Sequence, residues 1–455
     1  MEMKANQPLR IYVDHGEAYG NLGDEAMLLN GLRRLKEYLG PCEFIVPAEE
    51  GKPLPDLSRY EVKLISPPHL VFRFWQHPIA VMLLLLAQVP GLRPLLRDTN
   101  GSRVWRWIAT ILNIVITLHR MHFLPWTGKT LKAFIKALRH CDAFYAVGAA
   151  DFNDGNLSGL IYKCWLYKTV RPWVKVSAVS AQGIGPLETP WARNLMKNAF
   201  KYVDILSFRD SRYSYEMVTS LNPKCVRSAI VGDESFSLPM PSRREVNKFL
   251  HDIGVPPSEP FIAFHWRMTD YTQDTTPLIP CIASILDSLC DALPYAFIFF
   301  PMSYHTHSAF DEICGCAIRG AMKHPDRMKV IPLCKDIHLI KGAVGAARYS
   351  LGLSYHIHVF SLSQGHPALI LYSGEYYRYK SEGLISFYGQ PNAAKDIEKT
   401  SCEDVVRAVM LIESGYDEAC SSIQKVNERI SAVNDWTIKE MADLLGKDCD
   451  HETPP

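Results

Sequence analysis

Leu9-Arg10-Ile11-Tyr12-Val13, then Gly20-Asn21-Leu22-Gly23-Asp24-Glu25-Ala26, then Met27-Leu28-Leu29-Asn30-Gly31-Leu32-Arg33-Arg34-Leu35: these three stretches decide the fold. The first reads as a buried strand. The third carries apolar residues at helical spacing. A glycine-containing turn therefore joins a first strand to a first helix, the layout of an α/β ligand crevice. Glycines let backbone approach a ligand, and a helix start offers free N–H groups to an anion. Asp24 is expected to cap the helix itself and to repel a phosphate. The turn thus suits hydroxyls as much as phosphate. A Gly-x-x-Gly turn with an Asp cap is also ordinary helix punctuation, so the turn alone does not decide a function.

Working outward, strand-like runs recur at Phe44-Ile45-Val46, Ala143 to Val147, Val174 to Ser180 and Ile205 to Phe208, with helical patterns such as Trp191 to Tyr202 between them. This alternation predicts a mostly parallel sheet covered on both faces. A proline-bearing polar stretch between about residues 239 and 260 reads as a linker. A second series follows at Phe261 to His265, Ala296 to Phe300, Met328 to Ile331, Tyr349 to Leu353 and Ala368 to Tyr372. The expected fold class is α/β: two facing Rossmann-like domains, 1–245 and 255–455, with a cleft between them and helices after Cys402. The tail from Asp448 to Pro455 reads as unstructured.

At 455 residues the chain is too long for one ordinary core, which agrees with two domains. Its 49 Lys and Arg balance 48 Asp and Glu, which argues against a nucleic-acid binder. No secretory signal is visible at the start, and the twelve cysteines are scattered. A reducing cytoplasm fits this usage best. Cys314 and Cys316 with His305 and His307 do not match zinc spacing; Asp311 to Ile318 reads as an amphipathic helix, so no metal is expected. Residues 71–140 stand apart, with ten basic residues, one acidic residue and four Trp around the run Ile79 to Ala87. That run is shorter than the roughly 20 residues needed to span a bilayer. Two readings stand open: an interfacial helical insert on a membrane surface, or a helical hairpin packed on the first domain.

Further motifs lie at strand ends. Gly148-Ala149-Ala150-Asp151-Phe152-Asn153-Asp154 offers side chains that can bind sugar hydroxyls, or is simply a polar loop. Ala181-Gln182-Gly183-Ile184-Gly185-Pro186 is a tight loop on the carboxyl edge of the sheet. Arg209 and Asp210 are expected to pair with each other as a structural device. In the second half, His265-Trp266-Arg267 places a cation just past a strand, where it can fork onto a carboxylate or phosphate. Leu353-Ser354-Tyr355-His356-Ile357-His358 opens a helix and is followed by Tyr376-Tyr377-Arg378-Tyr379-Lys380. A histidine at a helix start can donate to an anion or shuttle a proton. His358 falls nearly opposite and reads as structural.

Asn-Leu-Gly-Asp-Glu-Ala, Gln-Gly-Ile-Gly-Pro, Arg209-Asp210 with Ser214, Asp233 with Phe236, and the His356 to Leu384 elements occur in an order that resembles the polysaccharide pyruvyl transferase family over about residues 10–390, apart from the basic insert. The resemblance implies a GT-B-like fold. It also implies transfer of a pyruvyl group from phosphoenolpyruvate to two sugar hydroxyls of a polysaccharide or its lipid-linked precursor, as a ketal. His356 is then the candidate for proton transfer or phosphate contact. Arg267, Ser354, Tyr355 and Lys380 would bind the donor, and Asn21, Asp24 and Asp154 the acceptor. No cofactor or metal is implied.

The family arginine before the Tyr-His pair is Ser354 here, a neutral group that cannot replace a bidentate cation. Arg267, Arg348, Arg378 and Lys380 are the candidates to compensate. Otherwise the donor differs or catalysis is weak or absent. The alternatives are a glycosyltransferase using a nucleotide sugar and a catalytically silent, membrane-associated member. A sugar or lipid-linked oligosaccharide is the expected partner of a cytoplasmic protein; contact with the inner face of a membrane and a homo-oligomer are left open.

Overall fold

In a computed structural model, residues 8–15, 19–67, 128–221, 227–256, 258–268, 274–304 and 310–446 are described. The run Ile79 to Ala87, most of the basic insert, His305, His307 and the tail lie outside them. Two sheets, parallel throughout, form the frame. The first runs in the order β3-β2-β1-β4-β5-β6-β7. Its strands are β1 (Leu9–Asp14), β2 (Cys42–Pro47), β3 (Val62–Ile65), β4 (Ala143–Ala146), β5 (Val176–Gln182), β6 (Ile205–Phe208) and β7 (Arg227–Ile230). The second runs β10-β9-β8-β11-β12-β13. It consists of β8 (Phe261–His265), β9 (Ala296–Phe299), β10 (Met328–Val330), β11 (Tyr349–Gly352), β12 (Ala368–Tyr372) and β13 (Ala394–Asp396).

The central strands β4, β5, β6, β8 and β11 are buried along their length, and β1 at every residue but Arg10, which is why they read as apolar runs. Three strands had no such signal. β3, β7 and β13 lie at sheet edges and are half-exposed, so their residues are mixed. In both sheets the order reverses beside the first strand, between β1 and β4 and between β8 and β11. Open α/β sheets bind ligands beyond the carboxyl ends of strands at such switch points.

The halves are not separate bodies in packing. Helix Leu22–Leu39 buries Leu28, Leu32 and Leu35 against the first sheet. Its first turn, Leu22 and Ala26, instead joins an apolar cluster with Ala263, Ile298 and Phe300 of the second. Helix Arg243–Asp252 starts at a Ser242/Glu245 capping box, and its Val246 and Leu250 belong to that second cluster. The crossing therefore precedes Arg243, slightly ahead of the expected boundary. The last helix, Trp436–Leu444, returns to the first half, with Ile438, Met441 and Ala442 in the first core and Thr437 hydrogen-bonded to Ser207 of β6.

A buried ionic cluster fastens this return. Arg34 donates to Glu234 at 2.9 Å and to Asp435 at 2.6 Å, and Tyr145 donates to Glu234 at 2.8 Å. Of the insert, helix Gly128–Leu138 is described. Phe134 and Leu138 are buried in the first core, and Phe134 meets Tyr12 edge-on at 5.7 Å. This part packs on the first domain. No helix among the described residues is long and apolar enough to cross a membrane.

Candidate functional site

The opening turn and the His356 segment, more than 300 residues apart in sequence, touch. Leu22 N–H donates to Met302 O at 2.9 Å and Tyr304 N–H to Gly20 O at 2.8 Å, so the turn pairs with the segment that follows β9. Glu25 reinforces it, accepting from Gly20 N–H at 3.1 Å and from the Tyr304 hydroxyl at 2.5 Å. The His356 ring lies where a Cβ on Gly23 would be, so glycine is required there by the approach of this ring. Asn21, not Asp24, caps the helix: its Oδ1 accepts from Gly23 N–H at 3.1 Å. Asp24 is thereby left in the first turn, lining the cleft.

The cleft holds a cavity of about 180 Å³. From the first half it is lined by His15 beyond β1, Asn21 and Asp24 of the turn, Asp151 and Asn153 beyond β4, and Arg209 beyond β6. From the second half come His265 and Arg267 beyond β8, Ser354, Tyr355 and His356 beyond β11, and Lys380. Both switch points thus open onto one space. Of the sequence candidates, Asn21, Asp24, Arg267, Ser354, Tyr355, His356 and Lys380 are brought together. Asp154 is not among the lining residues. Its Oδ2 is occupied by Glu188 N–H at 2.6 Å and Thr189 N–H at 3.0 Å, holding the next loop.

Arg209 corrects a second expectation. Asp210 does not pair with it but accepts from Tyr213 and Ser214 N–H at 2.8 and 3.0 Å. Arg209 instead lies 4.5 Å from the Tyr355 ring centroid and 3.8 Å from Asp233. Gly183 makes room for it, since a Cβ there would collide with the guanidinium. Two glycines of the sequence motifs, Gly23 and Gly183, therefore each admit one cavity side chain. Arg348 and Arg378 are committed elsewhere, to Glu413 at 2.8 Å and Glu375 at 2.6 Å. Among the described residues, the cations that line the cavity with Ser354 are Arg209, Arg267 and Lys380, with Arg267 also paired to Asp311.

Helix Tyr355–Ser363 begins at Ser354, whose side chain makes no cap hydrogen bond, so the helix start faces the cavity without its own capping oxygen. His358 is structural, as its position suggested: its ring bonds Ser350 Oγ at 2.9 Å and Gly352 O at 2.8 Å. Burial pushes His356 down to about 3, with Lys380, Arg209 and Arg267 adding to it against the pull of Asp233. His356 is therefore neutral at ordinary pH, and its buried Nε2 has no hydrogen-bond partner. Burial and the nearby Arg209 push Lys380 down to about 7, while Asp24 opposes them.

Two buried carboxylates organise the walls. On the first, Asp14 accepts from Lys163 Nζ at 2.6 Å, and the same ammonium lies 3.1 Å from Asp151 Oδ2. That distance makes an ion pair but lacks hydrogen-bond alignment, so Asp151 Oδ2 keeps its accepting direction open. On the second, Asp311 accepts from Arg267 Nε at 3.1 Å and Met302 N–H at 3.0 Å, and bonds His265 Nε2 at 3.2 Å. None of Asp14, Lys163, His265 or Asp311 was singled out in the sequence. Each is a lone polar residue in an apolar or amphipathic run, with no local signal. Among the described residues no cluster of three or more metal-ligating side chains occurs.

Two facing Rossmann-like domains with a shared cleft make a GT-B-like fold. Solved structures agree at the level of fold. A glycosyltransferase from Rickettsia africae superposes with a TM-score of 0.54 at 10% identity, over 97% of this chain and 100% of its own. Anabaena HepE in complex with UDP gives 0.53 at 10% identity, over 97% and 100%. A Neisseria meningitidis UDP-GlcNAc 2-epimerase bound to UDP-GlcNAc gives 0.50 at 11%, over 97% and 99%. No curated protein matches the sequence. The chain belongs to the polysaccharide pyruvyl transferase family, whose model matches residues 21–375.

Proposed function

We propose that this protein transfers a pyruvyl group from phosphoenolpyruvate to hydroxyls of a sugar acceptor. The observation that carries the reading is the meeting of Arg209, Arg267 and Lys380 around one small cavity, opposite a wall of carboxylate and amide groups. Phosphoenolpyruvate carries a carboxylate and a phosphate on adjacent atoms of a three-carbon unit. Two forked cations and an ammonium suit that pair of anions. The uncapped start of helix Tyr355–Ser363 adds its positive end, and neutral His356 can donate one N–H to a phosphate oxygen. Arg209 and Lys380 supply positive charge beside Ser354, where the family arginine is absent.

The volume favours a small donor as well. About 180 Å³ lies below the roughly 300–1,000 Å³ of pockets that enclose drug-sized ligands. A nucleotide sugar such as the UDP-GlcNAc bound by the epimerase would need more room. On the other wall, Asn21 and Asp24 would hold the acceptor, and Asp151 would take the proton of the attacking hydroxyl. The acceptor oxygen bonds to C2 of the donor as C3 gains a proton; the C2–O bond to phosphate then breaks as a second hydroxyl bonds to C2, and the proton of that hydroxyl leaves with the phosphate.

The test is phosphate release from phosphoenolpyruvate with a lipid-linked oligosaccharide as acceptor. Arg267→Met is expected to lower kcat/KM for the donor by about 100- to 1,000-fold, the scale for losing one charged transition-state contact. Binding of a nucleotide sugar with no phosphate release by the wild type would instead favour the glycosyltransferase reading.

A further inference from the structure

We infer that His265, oriented by Asp311, is the group that delivers the proton to C3 of the donor; the inference rests on the pyruvyl-transfer reading above. His265 ends β8 and Asp311 opens helix Phe310–Ala321, and the two are 1% and 0% exposed at their side chains. The Asp311 carboxylate bonds Nε2, at 3.2 Å. That bond orients the ring and leaves Nδ1 as the nitrogen available to a ligand. Nδ1 is buried and has no hydrogen-bond partner, although the residue lines the cavity. A buried ring nitrogen without a partner is uncommon in a protein interior and marks a position that a ligand or a proton completes. Phe299, stacked on the ring at 5.4 Å, fixes its plane.

The same carboxylate positions the donor's anchor. Asp311 also holds Arg267 Nε at 3.1 Å, and through Met302 N–H it ties down the segment that pairs with the Gly20 turn. One buried anion thus sets the separation between the guanidinium that grips the donor and the imidazole that faces its reactive carbon. His356 fits this task less well. Besides burial, Lys380, Arg209 and Arg267 disfavour an imidazolium there against the pull of Asp233, and its Nε2 has no hydrogen-bond partner, whereas His265 is hydrogen-bonded to the Asp311 carboxylate.

The charged and titratable groups around His265 are Asp311, Arg267 and the neighbouring His358, with Lys380 elsewhere in the cavity lining. In the free protein, burial holds His265 below its ordinary range in spite of Asp311, so the ring is neutral. A bound donor brings at least two negative charges, which favour uptake of one proton at Nδ1. The Nδ1–H bond then breaks and the C2=C3 electron pair forms the new C3–H bond. C2 is left electron-poor, stabilised by the ester oxygen of the phosphate until the acceptor oxygen bonds to it. The acceptor's own proton goes to Asp151, so the imidazole ends neutral and is recharged from solvent with the next donor.

The experiment needs no acceptor. Phosphoenolpyruvate binding is measured by calorimetry at pH 7.5 in two buffers of different ionisation enthalpy, which reports protons taken up. The wild type is expected to take up about one proton more than His265→Gln, whose remaining uptake belongs to Lys380, and the variant should bind the donor about tenfold more weakly because that protonation is coupled to binding. Asp311→Asn, acting through position, is expected to show the His265 share of the uptake only at a pH at least one unit lower. Its folding is checked by thermal melting, and His265→Gln stands as the variant that leaves the buried carboxylate with Arg267. In deuterated water the vinyl protons of phosphoenolpyruvate should exchange with the wild type and at least 100-fold more slowly with His265→Gln. Tight donor binding with equal proton uptake by the wild type and His265→Gln, or exchange by His265→Gln at the wild-type rate, would overturn the inference alone. Failure of the wild type to bind phosphoenolpyruvate would overturn the donor assignment, and this inference with it.

Discussion

On one wall of the cleft Asn21, Asp24, Asp151 and Asn153 are carried by the first helix and the end of β4; on the other Arg267, His265, His356 and Lys380 are carried by the ends of β8 and β11 and the helix Gly374–Phe387. The two walls come from sheets of the same strand order, reversing at the same place. What differs is the side chain set just past each strand. The scaffold supplies two crevices, and on the function proposed above a few residues per crevice would let one collect hydroxyls and the other anions. Arg209 is the exception that joins them. It belongs to the first sheet but leans over Tyr355 of the second, through the gap left by Gly183.

This contrast can be broken from either side. The largest effect is expected from Asp151→Asn, which removes the acceptor wall's proton acceptor. Turnover should fall by about 100-fold or more while affinity for phosphoenolpyruvate, measured by calorimetry, stays within about twofold. Asp154→Asn, three residues on, should leave turnover near wild type and cost about 1–2 kcal/mol of stability, because it weakens two backbone hydrogen bonds. A loss of turnover in Asp154→Asn equal to that in Asp151→Asn would erase the distinction drawn between them.

On the donor wall, Lys380→Met is expected to weaken phosphoenolpyruvate binding about tenfold. Its signature is the pH dependence. The free ammonium loses its proton near pH 7, so the wild type should bind the donor progressively less well as pH rises through and above 7. The variant has no such ammonium, and its affinity should lack that component.

Gly23→Ala addresses the contact between the walls. The added methyl meets His356 and should cost about 1–3 kcal/mol. In a His356→Ala background the same change should cost much less, and a double-mutant cycle measures the difference. Equal costs in the two backgrounds would mean the ring and the turn are not coupled.

The smallest effect concerns acid stability. His265, His356 and His358 are buried and held below their ordinary range, first by burial. In the unfolded chain each takes a proton near pH 6.5, and in the folded chain it does not, so folding stability falls as pH drops through 6.5. Between pH 7.5 and 6.0 the expected loss is under about 1 kcal/mol per histidine, read from urea unfolding curves. The buried carboxylate Asp311 acts only further down. Although burial opposes it, Arg267 and His265 hold it well below the usual carboxylate range, so its contribution is lost progressively as pH falls through and below that range.

The sequence made some of these groups legible and hid others, for reasons that can be given residue by residue. Buried parallel strands announce themselves as apolar runs, and chemistry placed just past a run, as with Arg267 and His356, can be found by following it. Edge strands such as β7, with Arg227 and Ser228, carry no such run. Asp151 and Asp154 lie in one polar loop and look alike in sequence; only the path of the backbone from Glu188 to Thr189 gives Asp154 a structural task. Asp311 was read within an amphipathic helix. Its partners His265 and Arg267 lie 46 and 44 residues away, so nothing local marks it.

Periodicity and motif order, which are local properties of the chain, determined the two-sheet α/β class, the family, the carboxyl-edge location of the cavity and most of the candidate residues that line it. Which half a helix joins, which of two aspartates faces the cleft, and whether Arg209 turns to its neighbour Asp210 or across to Tyr355 were decided by tertiary structure alone. The same division holds for proton chemistry. Residue type sets the ordinary pKa of a histidine or lysine, but burial and the charges that the fold gathers from both halves make His356 neutral and set Lys380 near 7.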